Sequence, residues 1–159
     1  MEQKVKKFLE LSDQESETVS GVAELRLGEV TIYNLFALRG IRVDRVGPGL
    51  VACTFKVPLR LLNRDGNLAN GAIANLVDIV GSSVVYVNGL SMNVSVEMSI
   101  SYLSTAKLND ELEITSRLLG QKGGYSGTIV LMRNKATGEI ISEGRHSLFR
   151  SHTHVSGKL

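Results

Sequence analysis

An aspartate inside an apolar segment is the residue of this sequence best suited to chemistry. Asp78 lies in a nearly apolar stretch that runs from Gly71 to about Tyr86. A carboxylate without a partner in such surroundings costs several kcal/mol or becomes protonated, so a sequence that keeps it must compensate for it. Asp78 is therefore either a base that borders a cleft or the acceptor of structural hydrogen bonds from Asn75, Ser82 or a neighbouring strand.

The stretch around Asp78 has the pattern of an α-helix surrounded by protein, because its apolar residues lie on all sides. At about 100° per residue, the exceptions fall within a stripe roughly 60° wide; they are Gly71, Asn75, Asp78 and Ser82. The first N–H groups of a helix have no intrahelical partner and carry about half a positive charge, so they can stabilise a developing oxyanion. Asn70 and Gly71 occupy that place.

Alternating apolar and polar residues predict β-strands on both sides of this helix. Two strands form a hairpin about Gly47-Pro48-Gly49, and four more cover residues 94–102, 111–119, 126–133 and 140–149, with turn segments at 120–124 and 134–138. Simple alternation places Ser95 on the polar face of its strand. The pattern predicts one α+β domain in which an antiparallel sheet wraps one long buried helix.

An open antiparallel sheet has two edge strands, and exposed edges are usually paired or covered. We therefore expect subunits to join edge to edge, as a homodimer or as a dimer of dimers. Within the chain of 159 residues, we expect an N-terminal helical segment over residues 1–36, with a short helix at 2–19. The predicted domain covers residues 37–150, and a flexible tail covers residues 151–159.

Charge and composition argue against two classes of partner. The 18 Lys and Arg residues are scattered among 16 Asp and Glu residues, and aromatic residues make up 5% of the chain, which does not suit nucleic-acid binding. No apolar run reaches the roughly 18 residues of a membrane span. The N-terminal sequence lacks a secretory pattern, which favours the cytoplasm, although Gly157-Lys158-Leu159 differs by one residue from the peroxisomal Ser-Lys-Leu signal.

Several fragments, in this order and spacing, make the chain similar to a known family. They are Asn63 to Gly71 (NRDGNLANG), Leu76-Val77-Asp78, Val94 to Tyr102 (VSVEMSISY), Ala106-Lys107-Leu108, Asn134 to Gly138 (NKATG) and Gly144-Arg145-His146. The family is the hotdog-fold acyl-CoA thioesterases, in the small single-domain branch with the acyl-CoA thioesterase 13 and phenylacetate-pathway types. The resemblance covers about residues 39–149 and implies a hotdog fold and hydrolysis of an acyl-CoA to the free acid and coenzyme A.

The resemblance also implies roles for individual residues. The thioester oxygen would be held at the helix start, by the backbone N–H of Asn70 beside Gly71, and by the side chain of Asn63. Asp78 and, from the facing subunit, Ser95 would orient and activate water; a covalent route through an anhydride on Asp78 stays open. Ala69 stands where the branch usually has histidine, which motivates an alternative: a weakened domain that binds acyl-CoA or a partner protein without turnover.

For coenzyme A, the resemblance implies two contact regions, near residues 102–107 and near residues 120–124. Lys107 and Lys122 would meet phosphates there, unless they are only solvated charges. The remaining contacts implied are Glu97, Tyr102, Ser104, Gly123 and Gly124. No metal and no redox cofactor is implied, since coenzyme A is part of the substrate. The preferred acyl chain stays open.

Other chemically capable residues have simpler interpretations. Cys53 occupies an inward strand position and is interpreted as a small core residue. Arg145 and His146 are interpreted as surface or interface residues. His152 and His154 have no acidic or cysteine neighbour at metal-ligand spacing, so no zinc site is predicted.

Overall fold

A computed structural model describes Gln14, Glu17, residues 32–87 and residues 93–150. The chain divides into two compact units between Arg39 and Gly40. Helix α1 (Ile32–Leu38) belongs to the first unit, and all the elements below belong to the second.

Two predictions concern segments outside the described residues. They are the helix over residues 2–19 and the flexible tail over residues 151–159. Of the first segment only Gln14 and Glu17 are described, and both are helical. None of the helices in the described segments is long and apolar enough to cross a membrane.

In the described segments, six strands form one antiparallel sheet. They are β1 (Ile41–Gly47), β2 (Leu50–Lys56), β3 (Asn93–Tyr102), β4 (Glu111–Lys122), β5 (Tyr125–Asn134) and β6 (Ile140–Arg150). Their order across the sheet is β1-β2-β4-β5-β6-β3, so that β1 and β3 are the edges. Between β2 and β3 the chain forms a short 3₁₀ helix (Leu59–Leu61) and the long helix α2 (Asn70–Val87), which packs against the sheet. The predicted α+β fold, with one long helix against an antiparallel sheet, is confirmed.

The core lies between α2 and the inner face of the sheet. Leu76, Val77 and Val84 of α2 are fully buried against inward side chains of the central strands, such as Ile114 and Met132. Burying a side chain of this size stabilises the fold by about 1.5–3 kcal/mol relative to leaving it exposed. The alternation read from the sequence thus places Cys53, Phe55 and Val57 correctly in the core, whereas Val94 and Val96 of β3, on the strand face read as apolar, are more than half exposed.

The β4–β5 connection is shorter than predicted. Gly120 pairs with Gly127 and Lys122 pairs with Tyr125, so β4 continues beyond residue 119 and the turn consists of Gly123 and Gly124. Gly123 has a φ of +61°, which glycine adopts without steric cost. The prediction of a five-residue turn segment was wrong because glycines within a paired strand resemble a turn in sequence.

Strand β3 carries one extra residue where it pairs with β6. Ser95 lies opposite Leu148 and Glu97 lies opposite Ser147, so Val96 has no partner and forms a β-bulge. Paired residues of an antiparallel ladder share a face, and Leu148 is buried on the inner face. Ser95 therefore faces α2, which corrects its predicted place on the polar face.

Candidate functional site

Asp78, Ser95 and His146 meet between α2, β3 and β6. The Ser95 hydroxyl donates a hydrogen bond to Asp78 Oδ1 at 2.7 Å. His146 Nε2 lies 2.9 Å from Ser95 Oγ and 3.3 Å from Asp78 Oδ1. The Asp78 side chain is 43% exposed whereas the His146 side chain is inaccessible, so the carboxylate opens outward with the imidazole behind it.

Burial favours the neutral form of the His146 imidazole. Burial lowers its pKa below the ordinary value, and the negative charge of Asp78 only partly opposes that effect. Nδ1 is buried without a hydrogen-bond partner in the described part of the chain. An unpaired buried N–H is rarer and costlier than an unpaired lone pair, so we assign the proton to Nε2, where it can be donated to Ser95.

The backbone of α2 leaves room for this imidazole at Gly81. A Cβ atom at Gly81 would lie 2.9 Å from His146 Nδ1 and 3.2 Å from Val130 Cγ2. On the other side, the Thr128 hydroxyl donates to the carbonyl oxygen of His146 at 3.3 Å. The imidazole is thus held by packing and by the backbone, and it in turn holds Ser95.

His146 was missed as a member of this cluster, and its interpretation as a surface or interface residue is wrong, since it is only 1% exposed. Arg145, with a side chain 66% exposed, does point outward. The alternation of side chains along β6 could have predicted the burial of His146, because the residue next to an outward arginine in a strand points inward.

The start of α2 presents unpaired donors. The carbonyl oxygen of Ala69 accepts the first helical hydrogen bond, from Ile73 N–H at 3.0 Å. The N–H groups of Asn70, Gly71 and Ala72 therefore have no intrahelical partner, and the alanine side chain at the cap has no oxygen to accept from them. Asn70 and Gly71 are both exposed.

The loop before α2 holds Asn63 in a defined orientation. Its Oδ1 accepts hydrogen bonds from the N–H groups of Asp65 and Asn67, both at 3.0 Å. The side chain is thus a turn-forming residue, and its Nδ2 donors have no partner among the described residues. Leu68 N–H donates to Ala106 O, and Ala69 N–H donates to Leu61 O. These hydrogen bonds connect the loop to the segment between β3 and β4 and to the 3₁₀ helix.

Within one chain, the helix start and the carboxylate cluster are separate. Asn70 and Asp78 are eight residues apart, which is about 12 Å along a helix axis. Ser95 contacts Asp78 of its own chain, so the prediction that it comes from the facing subunit is wrong; the bulge at Val96 turns its side chain inward.

The residues implied for coenzyme A fall into two groups. Near the start of α2, the Tyr102 hydroxyl donates to Asn70 O at 3.4 Å, Ser104 Oγ donates to Glu139 Oε1 at 2.5 Å, and Lys107 forms an isolated β-bridge with Asn67. Lys107 is exposed.

The second group lies at the opposite end of the sheet. Lys122 is the last residue of β4, and Gly123 and Gly124 form the turn that follows it. Lys122 pairs with Tyr125, Tyr125 with Phe149 and Phe149 with Val94 of β3, so this group lies at the same end of the sheet as Val94. Val94 is separated from Tyr102 by almost the full length of β3, roughly 20 Å or more. Glu97 faces the outer side of the sheet, opposite Ser147. One chain therefore does not bring the two groups together.

The antiparallel sheet on one long helix agrees with the hotdog fold that the family resemblance implies, and comparisons with known proteins identify the family. The thioesterase superfamily model matches residues 65–124. Human acyl-coenzyme A thioesterase 13 is 39% identical over 108 residues, which are 67% of this chain and 77% of the human protein.

Two solved structures are also similar. Zebra fish thioesterase superfamily member 2 has a TM-score of 0.71 at 28% identity, covering 89% of this chain and 99% of that one. A hypothetical thioesterase from Streptococcus pneumoniae, solved with coenzyme A, has a TM-score of 0.69 at 28% identity, covering 72% and 88%. The chain belongs to the thioesterase superfamily, and the predicted family and the predicted class of thioester hydrolase are confirmed.

Proposed function

We propose that this protein hydrolyses acyl-CoA thioesters to the free acid and coenzyme A, with Asp78 as the base for water. One observation carries the assignment to Asp78. Ser95 holds Oδ1 of a carboxylate that is 43% exposed, and no donor in the described residues reaches Oδ2. The choice of acyl-CoA is supported by the activity that the human relative is named for and by the coenzyme A in the pneumococcal structure.

The proposed reaction proceeds through a tetrahedral intermediate. Asp78 Oδ2 takes a proton from water as the water oxygen attacks the thioester carbon, and the charge that develops on the carbonyl oxygen is held by amide donors. Those donors are the N–H groups at the start of α2, at Asn70 and Gly71, together with Nδ2 of Asn63. Collapse of the intermediate breaks the C–S bond, and coenzyme A leaves as the thiolate. The proton held by Asp78 is then released to water, which regenerates the carboxylate.

The alanine at position 69 is compatible with turnover. An ordinary thiol has a pKa of about 8.5, so a thiolate leaves without a general acid, in contrast to an alkoxide. The weakened binding domain, which Ala69 also motivates, differs from the enzyme in one measurable respect: it would bind acyl-CoA tightly by calorimetry without releasing thiol. The proposed reaction uses no metal and no redox cofactor, since coenzyme A enters as part of the substrate.

The proposed site needs two subunits. A thioester group is a few ångströms long, whereas about 12 Å separates Asp78 from the amides at the start of its own helix. We therefore assign the oxyanion donors to one subunit and the Asp78–Ser95 pair to the other, in a homodimer or in a dimer of dimers. In such an arrangement the two distant groups of coenzyme A contacts would also come from different subunits.

The test of the activity is the rate of thiol release from a panel of aliphatic and aromatic acyl-CoAs. Asp78→Asn, which keeps the size of the side chain, should lower kcat by at least about a hundredfold. Glu143→Gln is the control, because this carboxylate lies on the outer face of the sheet and pairs loosely with Arg145, at 3.9 Å. A panel in which wild type is no faster than a folded Asp78→Asn variant would contradict the proposal.

A further inference from the structure

Tyr102 contacts the first residue of α2 through its hydroxyl. It is the last residue of β3 and pairs with the buried Ser142 of β6, so its side chain faces α2. The hydroxyl donates a hydrogen bond to the carbonyl oxygen of Asn70 at 3.4 Å. Tyr102 is 44% exposed and lies beside the open start of the helix.

The carbonyl that Tyr102 contacts shares a peptide unit with a proposed oxyanion donor. The C=O of Asn70 and the N–H of Gly71 are the two ends of one planar amide. A hydrogen bond accepted by the carbonyl polarises that amide and makes its N–H a stronger donor. The Gly71 N–H has no intrahelical partner, so the added polarisation acts on a group that is free to bind an oxyanion.

We propose that Tyr102 is a positioning residue for hydrolysis: through the Asn70 carbonyl it orients and strengthens the Gly71 N–H that receives the thioester oxyanion. This inference rests on the proposed function, since it needs the oxyanion at the helix start. It gives Tyr102 a role other than the coenzyme A contact implied by the family resemblance.

The geometry suits an interaction that strengthens during the reaction. At 3.4 Å the contact is longer than the usual 2.7–2.8 Å of a hydroxyl–oxygen hydrogen bond. The carbonyl has two lone pairs, one for the helical hydrogen bond of its own turn and one for Tyr102. As charge develops at the Gly71 N–H, the carbonyl becomes a better acceptor, and an interaction that is stronger in the transition state raises kcat.

Tyr102→Phe is the direct test, because it removes only the hydroxyl. Loss of one such hydrogen bond should lower kcat about three- to tenfold, while KM changes less than about twofold. The second readout is the carbonyl stretch of a bound 2-oxoalkyl thioether of coenzyme A, a ketone that is not cleaved. Its frequency should be higher in the variant than in wild type. Tyr86→Phe, at the far end of α2 and 56% exposed, is the matched control and should change neither quantity.

A merely structural or ligand-binding tyrosine would give a different result. If Tyr102→Phe raised KM while kcat and the carbonyl stretch stayed at wild-type values, the inference would be overturned. Tyr102→3-fluorotyrosine, whose hydroxyl is a stronger donor, should lower the carbonyl stretch, and an unchanged frequency would likewise contradict the proposal.

One measurement separates this inference from the proposed function. In the unliganded protein, Tyr102→Phe should move the Gly71 amide proton upfield in the NMR spectrum, whether or not any acyl-CoA is hydrolysed. A wild type that turned over no substrate would overturn the proposed function and with it the catalytic role of Tyr102. An unchanged amide shift in an active enzyme would overturn the role of Tyr102 alone.

Discussion

His146 lies behind Asp78 and is fully buried, so it has no surface with which to touch a substrate. Its contribution is positional, because its Nε2 proton is directed at Ser95 Oγ, which leaves the hydroxyl proton of Ser95 for Asp78 Oδ1. A neutral imidazole suits this arrangement, since the carboxylate then keeps its negative charge uncompensated beside the water that it must deprotonate.

The buried imidazole predicts a loss of stability in mild acid. Burial lowers the pKa of folded His146 below 6.5, so below this pH the unfolded chain binds a proton that the folded chain does not. The contribution of the neutral His146 to the free energy of unfolding is complete above pH 6.5. It is lost as the pH falls from 6.5 through the lowered pKa of His146 in the folded chain. The slope for one proton is at most about 1.4 kcal/mol of unfolding free energy per pH unit.

Urea denaturation at pH 7.5, 6.5 and 5.5 measures this slope. His146→Gln, which keeps a hydrogen-bonding group that does not titrate, should be less stable at pH 7.5 but should lose less stability on acidification than wild type. Equal pH slopes for the two proteins would contradict the assignment of a neutral, buried imidazole.

At the scale of elements, two glycines of α2 have opposite surroundings. A Cβ at Gly71 meets nothing within 4 Å, whereas a Cβ at Gly81 would collide with His146 and Val130. The same substitution in the same helix should therefore have effects of opposite sign.

Gly71→Ala should stabilise the folded chain by about 0.4–1 kcal/mol, because alanine restricts the unfolded chain at a helical position. Gly81→Ala should destabilise it by about 1–3 kcal/mol through overpacking, and it should lower kcat because His146 is displaced. Chemical denaturation and thiol release measure the two effects. A Gly81→Ala variant as stable and as active as wild type would show that the space between α2 and the His146 imidazole can accommodate a methyl group, which would contradict the prediction.

The elements themselves could be predicted because their signals are local. Alternation located the strands and the apolar circumference around Asp78 located α2, although the apolar residues Val94 and Val96 of β3 are exposed and β4 extends further than its alternation indicated. The side on which Ser95 lies could not be predicted, because the bulge at Val96 is a property of the pairing between β3 and β6. For a similar reason His146 was missed, since its partners come from two elements distant in sequence.

At the scale of the whole molecule, the separation within α2 makes subunit pairing a requirement for the proposed chemistry. The edge strand β3 suits such pairing, because Val94, Val96 and Met98 are exposed along the strand that carries Ser95. Complementation between two inactive variants tests this directly. Asn63→Ala removes a proposed oxyanion donor, and Asp78→Ala removes the base.

In a symmetric dimer with shared sites, each mixed dimer of these variants contains one intact site and one doubly altered site. After unfolding and refolding together in equal amounts, half of the dimers are mixed, so about a quarter of wild-type activity should return. Each variant refolded alone is the control. If the mixture stays as inactive as its components, the donors and the base belong to the same chain.

The protein's sole thiol has a practical consequence for such measurements. Cys53 is 3% exposed, and burial, with a smaller contribution from the charge of Asp44, raises the pKa of its thiol. Disulfide reagents react with thiolates, so a chromogenic reagent added to the native protein reports released coenzyme A with little background. Under denaturing conditions and without substrate, the same reagent titrates one equivalent per chain and so gives the enzyme concentration of the stock used in the assay.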